Sequence, residues 1–230
     1  MEICPFIRVN YDDRKEWLKD RGRGIGGSDA PVILGLSNWK TANQLWEEKT
    51  SYITISEEDN TNPSIVYGKT CEDAIRTLFT AKFVNKLNII HTNDVLISKR
   101  KEYLRASLDG EIEVLEDFTF VSYNGEIVFL KKGMKGVLEI KTKYLPTKDD
   151  WKDSIPQNYY AQGVHYINVT EYDFIIYVVE LRYINETASI RNFIFTKESM
   201  LEDIKYLEDE EDKFWDKVKK REQVPLSIAL

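Results

Sequence analysis

Cysteine, histidine and long apolar runs are all scarce in this chain, and each scarcity closes off a class of function. Cys4 and Cys71 are the two cysteines among 230 residues. They are too few for a disulfide framework, and no Cys-x-x-Cys pair occurs. A cysteine-ligated zinc or a four-cysteine iron–sulfur cluster is thereby excluded within the chain, and a reducing, cytoplasmic setting is expected. The two histidines, His91 and His165, lie too far apart in sequence to suggest the clusters of zinc hydrolases. No apolar stretch approaches the roughly 20 residues that cross a bilayer, and residues 1–10 lack the apolar core of a secretory signal. Positive charge is in deficit: 32 Lys and Arg against 39 Asp and Glu give a net charge of −7. A nucleic-acid binder that relies on charge alone is normally basic. A site that gathers carboxylates around bound cations tolerates an acidic chain. Five of the acids fall in one run, Glu208 to Asp212, which reads as a solvated helix face.

What is present suits one domain over 1–230. The chain is 42% hydrophobic and 31% charged, ordinary for a globular protein. Short helices are expected over 11–19 and 41–49. Between them lies a glycine-rich loop from Arg21 to Gly27, followed by Ser28-Asp29 and an apolar run over 30–36. Ser or Asp ahead of Pro31 is a helix-start signal. Residues 51–64 are polar and irregular, as in a loop. An amphipathic helix is predicted over 67–84, with Ala74, Ile75, Leu78, Phe79 and Phe83 on one side and Glu72 in its first turns. Strands follow over 94–98, 104–108, 111–115, 118–123, 126–130 and 136–141, with Asn124-Gly125 as a hairpin turn. A helix over 159–168, strands over 174–181 and 190–195, and a closing helix over 197–221 complete the chain. The fold class is α/β, a mixed sheet flanked by helices.

One constellation carries chemistry. In Leu138-Glu139-Ile140-Lys141 a strand places Glu139 and Lys141 on the same face. Alone, that pair would usually be a solvent-facing salt bridge. Ser107-Leu108-Asp109-Gly110 adds a second carboxylate at a strand end, though Asp-Gly alone also marks an ordinary turn. Together they make an oxygen-donor set for Mg²⁺, with Mn²⁺ as the alternative, because hard cations take carboxylates and keep several waters. Asp109 could bridge two ions and Glu139 could hold one with the Ile140 carbonyl. Lys141 would then stabilise charge developing on a phosphate. Glu72 is a candidate further acid, or simply a helix-dipole carboxylate; Gln162 is a candidate phosphate or water ligand, or a structural amide. The backbone N–H groups of Gly26, Gly27 and Ser28 suggest an anion-binding concavity, with Arg21 or Arg23 to fork a phosphate. A plain loop and helix cap is the other reading.

These residues are collinear with a known family. Arg21-x-x-Gly24-Ile25-Gly26-Gly27-Ser28-Asp29-Ala30, continued by Ile33-Leu34-Gly35-Leu36-Ser37-Asn38-Trp39-Lys40-Thr41, closely resembles the opening motif of YqaJ-like viral recombinases. These are the phage lambda exonuclease group of the PD-(D/E)xK nucleases. Gly68-x-x-x-Glu72, Ser107 to Gly110, Leu138 to Thr142, and Ile155-Pro156 with Tyr159 and Gln162 resemble the later motifs in order. The resemblance implies a restriction-endonuclease-like core, with Asp109 and Glu139 as metal ligands, Lys141 as the catalytic lysine, and Glu72 and Gln162 in support. Arg21 and Ser28 would bind a terminal 5′-phosphate. The implied activity is two-metal, 5′-to-3′ hydrolysis of double-stranded DNA ends in phage-type recombination. The implied partners are a single-strand annealing protein and further copies of the chain in a ring such as a trimer, with no membrane role. Competing expectations are an endonuclease of the same fold and a non-catalytic DNA-end binding module. Two departures stand out: the long Asp109–Glu139 separation, read as an inserted hairpin over 118–130, and Val164 where the family often has a second Gln. Without the insertion, Glu111 or Glu113 would be the alternative acid.

Overall fold

The computed structural model describes residues 4–11, 13–51, 62–91, 93–145, 151–184 and 187–225. Its centre is a five-stranded sheet built from β2 (Leu87–Ile90), β5 (Gly110–Val114), β8 (Lys135–Leu145), β9 (Phe174–Tyr183) and β10 (Ala188–Thr196). The order is β10-β9-β8-β5-β2. The β8–β9 pair is parallel and its neighbours are antiparallel, so the sheet is mixed. The parallel step is crossed by α5 (Gln157–Thr170), as a parallel connection requires.

The central strand β9 explains the layers. Its residues alternate between two cores: Ile175, Tyr177 and Val179 enter one, Phe174, Ile176 and Val178 the other. A strand buried on both faces reads as a continuous apolar run, as Phe174 to Val179 does. The first core is closed by α5, by the single turn α2 (Ala30–Ile33) and by α6 (Leu201–Lys220). The second is closed by α4 (Pro63–Lys82) and by the hairpin of β6 (Phe118–Val121) and β7 (Ile127–Leu130). That hairpin forms its own two-stranded sheet and lies between Asp109 and Glu139 in sequence. A third small sheet, β1 (Phe6–Val9), β3 (Val95–Ser98) and β4 (Arg105–Ala106), lies beside α5. The remaining helices are α1 (Arg14–Arg21) and α3 (Ala42–Thr50). Thr41 caps α3 reciprocally with Gln44, as a capping box does.

Several expectations are corrected. The apolar run 30–36 is helical only over Ala30–Ile33, because Gly35 turns the chain at φ +70° and Leu36 N–H returns to the Pro31 carbonyl. Helix α4 starts at Pro63 with Asn62 as cap, so Glu72 lies in mid-helix rather than in the first turns. Its buried side is Ile75, Arg76 and Phe79, and Leu78 is exposed. The loop expected over 51–64 falls largely on 52–61, outside the described residues. Strands β1 and β2 were not foreseen as separate elements; at four residues each they give little periodic signal.

The acidic run in α6 is not simply solvated. Glu208 and Asp212 pair with Arg100 and Lys101, and Glu211 is fully buried. Its Oε1 lies 2.6 Å from Nδ1 of the equally buried His165, whose Nε2 lies 2.8 Å from the Arg105 carbonyl. Burial opposes the imidazolium, but the Glu211 charge outweighs it and raises the His165 pKa. This pair joins α6, α5 and β4. Glu211→Ala is expected to lower unfolding free energy by about 3–5 kcal/mol, the cost of leaving one partner of a buried pair alone. Glu210→Ala, one residue away and half-buried in an ion pair with the exposed Lys213, is expected within about 1 kcal/mol of wild type. Urea denaturation distinguishes them; equal effects would remove the pair's structural role.

Candidate active site

The site sits where β5 parts from β8. Gly110 is opposite Leu138, and beyond that point β5 ends while β8 runs on to Leu145. Asp109 stands just before β5, not at the end of the preceding strand as expected. Its Oδ2 accepts the Ile140 N–H at 2.7 Å, replacing the strand neighbour that β8 has lost. N–H and C=O of one strand residue face the same edge, so the Ile140 carbonyl faces that edge too. Gly110 leaves little room at the parting: a Cβ there would lie 3.2 Å from the Leu138 side chain, which would have to give by a few tenths of an ångström. Arg76, from α4, donates through Nε to the Asp109 carbonyl at 2.8 Å and fixes the turn.

Along β8, Val137 enters the α5-side core while Leu138 and Ile140 enter the α4-side core. Glu139 and Lys141 therefore face α5, as strand alternation required. Glu139 is 1% exposed, and Lys141 Nζ lies 2.5 Å from its Oε1. Neither Glu139 oxygen receives a well-directed hydrogen bond among the described residues. Burial and then the charge of Asp109 push the Glu139 carboxyl up to about 8, against the pull of Lys141, with Glu72 adding to the rise. Burial opposes the Lys141 charge, but Glu139 and Asp109 outweigh it and hold the ammonium above its ordinary range. Lys141 also lies 5.5 Å from the centre of the Tyr159 ring.

Glu72 enters from α4, on the other side of the sheet. It is ion-paired with Arg76. Burial and the charge of Asp109 raise its carboxyl despite that pairing. The alternative acid Glu111 is engaged elsewhere: Arg8 grips both its oxygens at 2.6 Å, and Tyr172 donates to Oε2. Glu113 is exposed on the edge of β5. Of these alternatives Asp109 is the one bonded to β8 next to Glu139 and the one whose charge acts on it.

Among the described residues no three His, Cys, Asp or Glu side chains converge into a closed metal cage. An open site of two carboxylates and a backbone carbonyl is what a hydrated Mg²⁺ or Mn²⁺ takes. Glu139, buried with both oxygens wanting partners beside a second acid, fits a cation.

The glycine-rich loop builds an adjoining cavity of about 230 Å³, lined by Trp17, Arg21, Gly27, Ser28, Arg105 and Tyr166 among others. Ile25 stitches the loop to the β4 segment: its N–H donates to the Tyr103 carbonyl at 2.6 Å and its carbonyl accepts from Arg105 at 2.9 Å. Arg21 Nη2 donates to Ser28 Oγ at 2.9 Å. Asp29, buried, accepts the Gly26 N–H at 3.0 Å and Lys49 Nζ at 2.8 Å. The Gly26 N–H is thus consumed within the loop, and the expected three-amide concavity shrinks to Gly27 and Ser28. Burial opposes the Asp29 charge, but Lys49 and then Arg21 hold its carboxyl below the usual range. Asp20, also on the cavity wall, is paired with Arg105. Gln162, expected to serve phosphate or a metal water, donates instead to Tyr166 Oη at 2.8 Å. Tyr166 itself was not foreseen; its place one helical turn after Gln162 was the available signal.

Residues 16–173 match the model of the YqaJ-like viral recombinase domain. The chain belongs to that family. YqaJ of Bacillus subtilis (strain 168) is 32% identical over 157 residues, 68% of this chain and 42% of that protein; the match spans less than half of that relative. In fold, the chain is similar to an alkaline exonuclease, LHK-Exo, from Laribacter hongkongensis. The TM-score is 0.59 at 13% identity, covering 90% of this chain and 93% of that one. The dAMP complex of LHK-Exo gives a TM-score of 0.60 at 12% identity, with the same coverage. The YqaJ-family chain thus has the PD-(D/E)xK nuclease fold.

The charge balance at Glu139 has a measurable consequence in the absence of divalent ions. Its carboxyl is raised from 4.5 to about 8, so the folded state binds this proton more tightly than the unfolded state. Stability is therefore lost as pH rises from 4.5 towards 8. In a chelator at pH about 8, Glu139→Gln is expected to melt several degrees above wild type, since roughly 1–2 kcal/mol of buried-charge cost disappears. A variant that melts below wild type would mean that the Lys141 ion pair outweighs the burial of the carboxylate.

Proposed function

We propose that this chain is a divalent-metal-dependent exonuclease that degrades double-stranded DNA 5′ to 3′ from 5′-phosphorylated ends. The observation that carries the reading is Glu139: a buried carboxylate short of hydrogen bonds, facing Asp109 across a parted strand pair with Lys141 against it. Membership in a viral recombinase family and a fold like that of an alkaline exonuclease support it.

Asp109, Glu139 and the Ile140 carbonyl would hold Mg²⁺ or Mn²⁺, and Asp109 with Glu72 would serve a second ion. When bound, such cations supply Lewis-acid stabilisation of phosphate charge and make water more acidic. Lys141 stays protonated, because its neighbours hold the ammonium above its usual range. It therefore acts as a fixed positive charge on the non-bridging phosphate oxygens, where negative charge grows as water attacks phosphorus and the P–O3′ bond breaks. It is not the proton acceptor. Tyr159 packs against the lysine and limits its wandering. Arg21 and Ser28 hold the terminal 5′-phosphate, which sets the scissile bond one nucleotide further along at the acids. Resection in this direction leaves a 3′ single strand, the substrate of an annealing protein in recombination. A ring of further copies would keep the duplex threaded and offset the acidity of the single chain.

The test is digestion of linear and covalently closed circular duplex in Mg²⁺. Linear DNA is expected to be lost while circles persist, and Lys141→Ala is expected to slow the reaction about 10²–10³-fold. Equal loss of circles would favour an endonuclease of the same fold. Full activity in the Lys141 variant would displace the site.

A further inference from the structure

The hydroxyls of Ser28, Ser107 and Tyr166 line the cavity beside the acids, and two of them are wired the same way. Ser28 Oγ accepts from Arg21 Nη2 at 2.9 Å, and Tyr166 Oη accepts from Gln162 Nε2 at 2.8 Å. A hydroxyl has one proton to give. When a neighbouring N–H occupies its oxygen, that proton is turned outward. Among the described residues, neither the Ser28 nor the Tyr166 hydroxyl has an acceptor for it, and both line the same cavity. Ser28 and Tyr166 thus present two oriented O–H donors beside the Arg21 guanidinium, and the Asp20 carboxylate on the wall is taken up by Arg105, so the cavity suits an anion.

The position of Tyr166 is built, not incidental. Its ring is buried against Gly27, where an added Cβ would come within 2.4 Å of it. Only glycine at 27 lets the ring reach the loop. Gln162 and Tyr166 lie one turn apart on α5, the spacing that brings two helical side chains together. Besides burial, Glu139 and Asp109 push the phenol's pKa up while Gln162 and Arg21 pull it down, so the hydroxyl feels both the acids and the arginine. Its pKa is raised, by burial first and then by those acids, and the group remains a protonated donor.

We propose that Tyr166 donates its hydroxyl proton to the terminal 5′-phosphate and so determines specificity for phosphorylated ends, with Gln162 as the residue that positions it. This deepens the exonuclease reading and rests on its phosphate pocket. It also reassigns Gln162, which acts through the tyrosine instead of touching metal or phosphate.

The experiment separates end recognition from cleavage. Binding of a fluorescent duplex is measured in a chelator by competition with unlabelled duplexes that differ only in a 5′-phosphate or a 5′-hydroxyl. Wild type is expected to prefer the phosphate. Tyr166→Phe, which keeps the ring and removes the donor, is expected to lose about tenfold of that preference, the worth of a hydrogen bond to a charged group. Affinity for the hydroxyl end should be unchanged. Gln162→Met leaves the tyrosine in place and is expected to lose part of the preference, whereas Gln162→Glu, which can still accept but not donate, should not restore it. Thermal melts confirm that each variant is folded. If Arg21→Ala abolishes the preference but Tyr166→Phe keeps it, the Tyr166 assignment fails alone. If Tyr166→Phe weakens both ends equally, the residue is structural and the proposal fails. If wild type shows no preference, the phosphate pocket itself fails and this inference with it.

Discussion

The hydrogen bond from the Ile140 N–H to Asp109 Oδ2 holds the site together. A strand edge left unpaired in the interior exposes backbone groups that must find partners. Here β8 loses β5 after Leu138, and a side-chain carboxylate takes the place of the missing strand. One contact therefore does three things. It satisfies the Ile140 amide, places Asp109 opposite Glu139, and leaves the edge carbonyl of Ile140 on the same side. Arg76 reinforces the turn from α4, so both layers of the molecule converge on one residue.

The cost of that arrangement is concentrated in Glu139. A buried carboxylate near another acid is unstable as an anion, and the single ammonium of Lys141 does not fully offset it. Such strain is found where a fold is kept for function, not stability. The rest of the molecule compensates with apolar bulk: β9 is buried on both faces from Phe174 to Val179, and α5 is buried almost without break from Gly163 to Thr170. Buried ion pairs away from the acids, Asp29 with Lys49 and His165 with Glu211, lock the loop and the closing helix around the cavity.

Much of this was legible in the sequence because it depends on period. The alternation in 138–141 put Glu139 and Lys141 on one face, and the apolar run at 174–181 marked a strand, whose burial on both sides only the structure shows. Asn124-Gly125 announced the hairpin, which became a separate two-stranded sheet. What the sequence could not carry depends on who sits opposite. The run at 208–212 reads as solvent-facing until His165 is found against Glu211. Gly26 looked like an anion-binding amide until Asp29 proved to occupy it. The apolar side of α4 was rotated, with Leu78 exposed and Arg76 drawn inward, because Asp109 offers that arginine a carbonyl. Gln162 was seen, but the partner that gives it meaning, Tyr166, was not. Recognition of a family located the residues; only the strand register could show that Glu111 is committed to Arg8 and Tyr172 while Asp109 is not.

On the proposed reading, Asp109, Glu139 and the Ile140 carbonyl form one open cation site. The most direct measurement is a crystal structure of the protein soaked in Mn²⁺, with anomalous scattering used to locate the ion. A peak between the two carboxylates, in contact with the Ile140 carbonyl and lost in Asp109→Asn, is the expected result. A fully occupied peak elsewhere, with Glu139 still paired to Lys141 alone, would overturn that assignment.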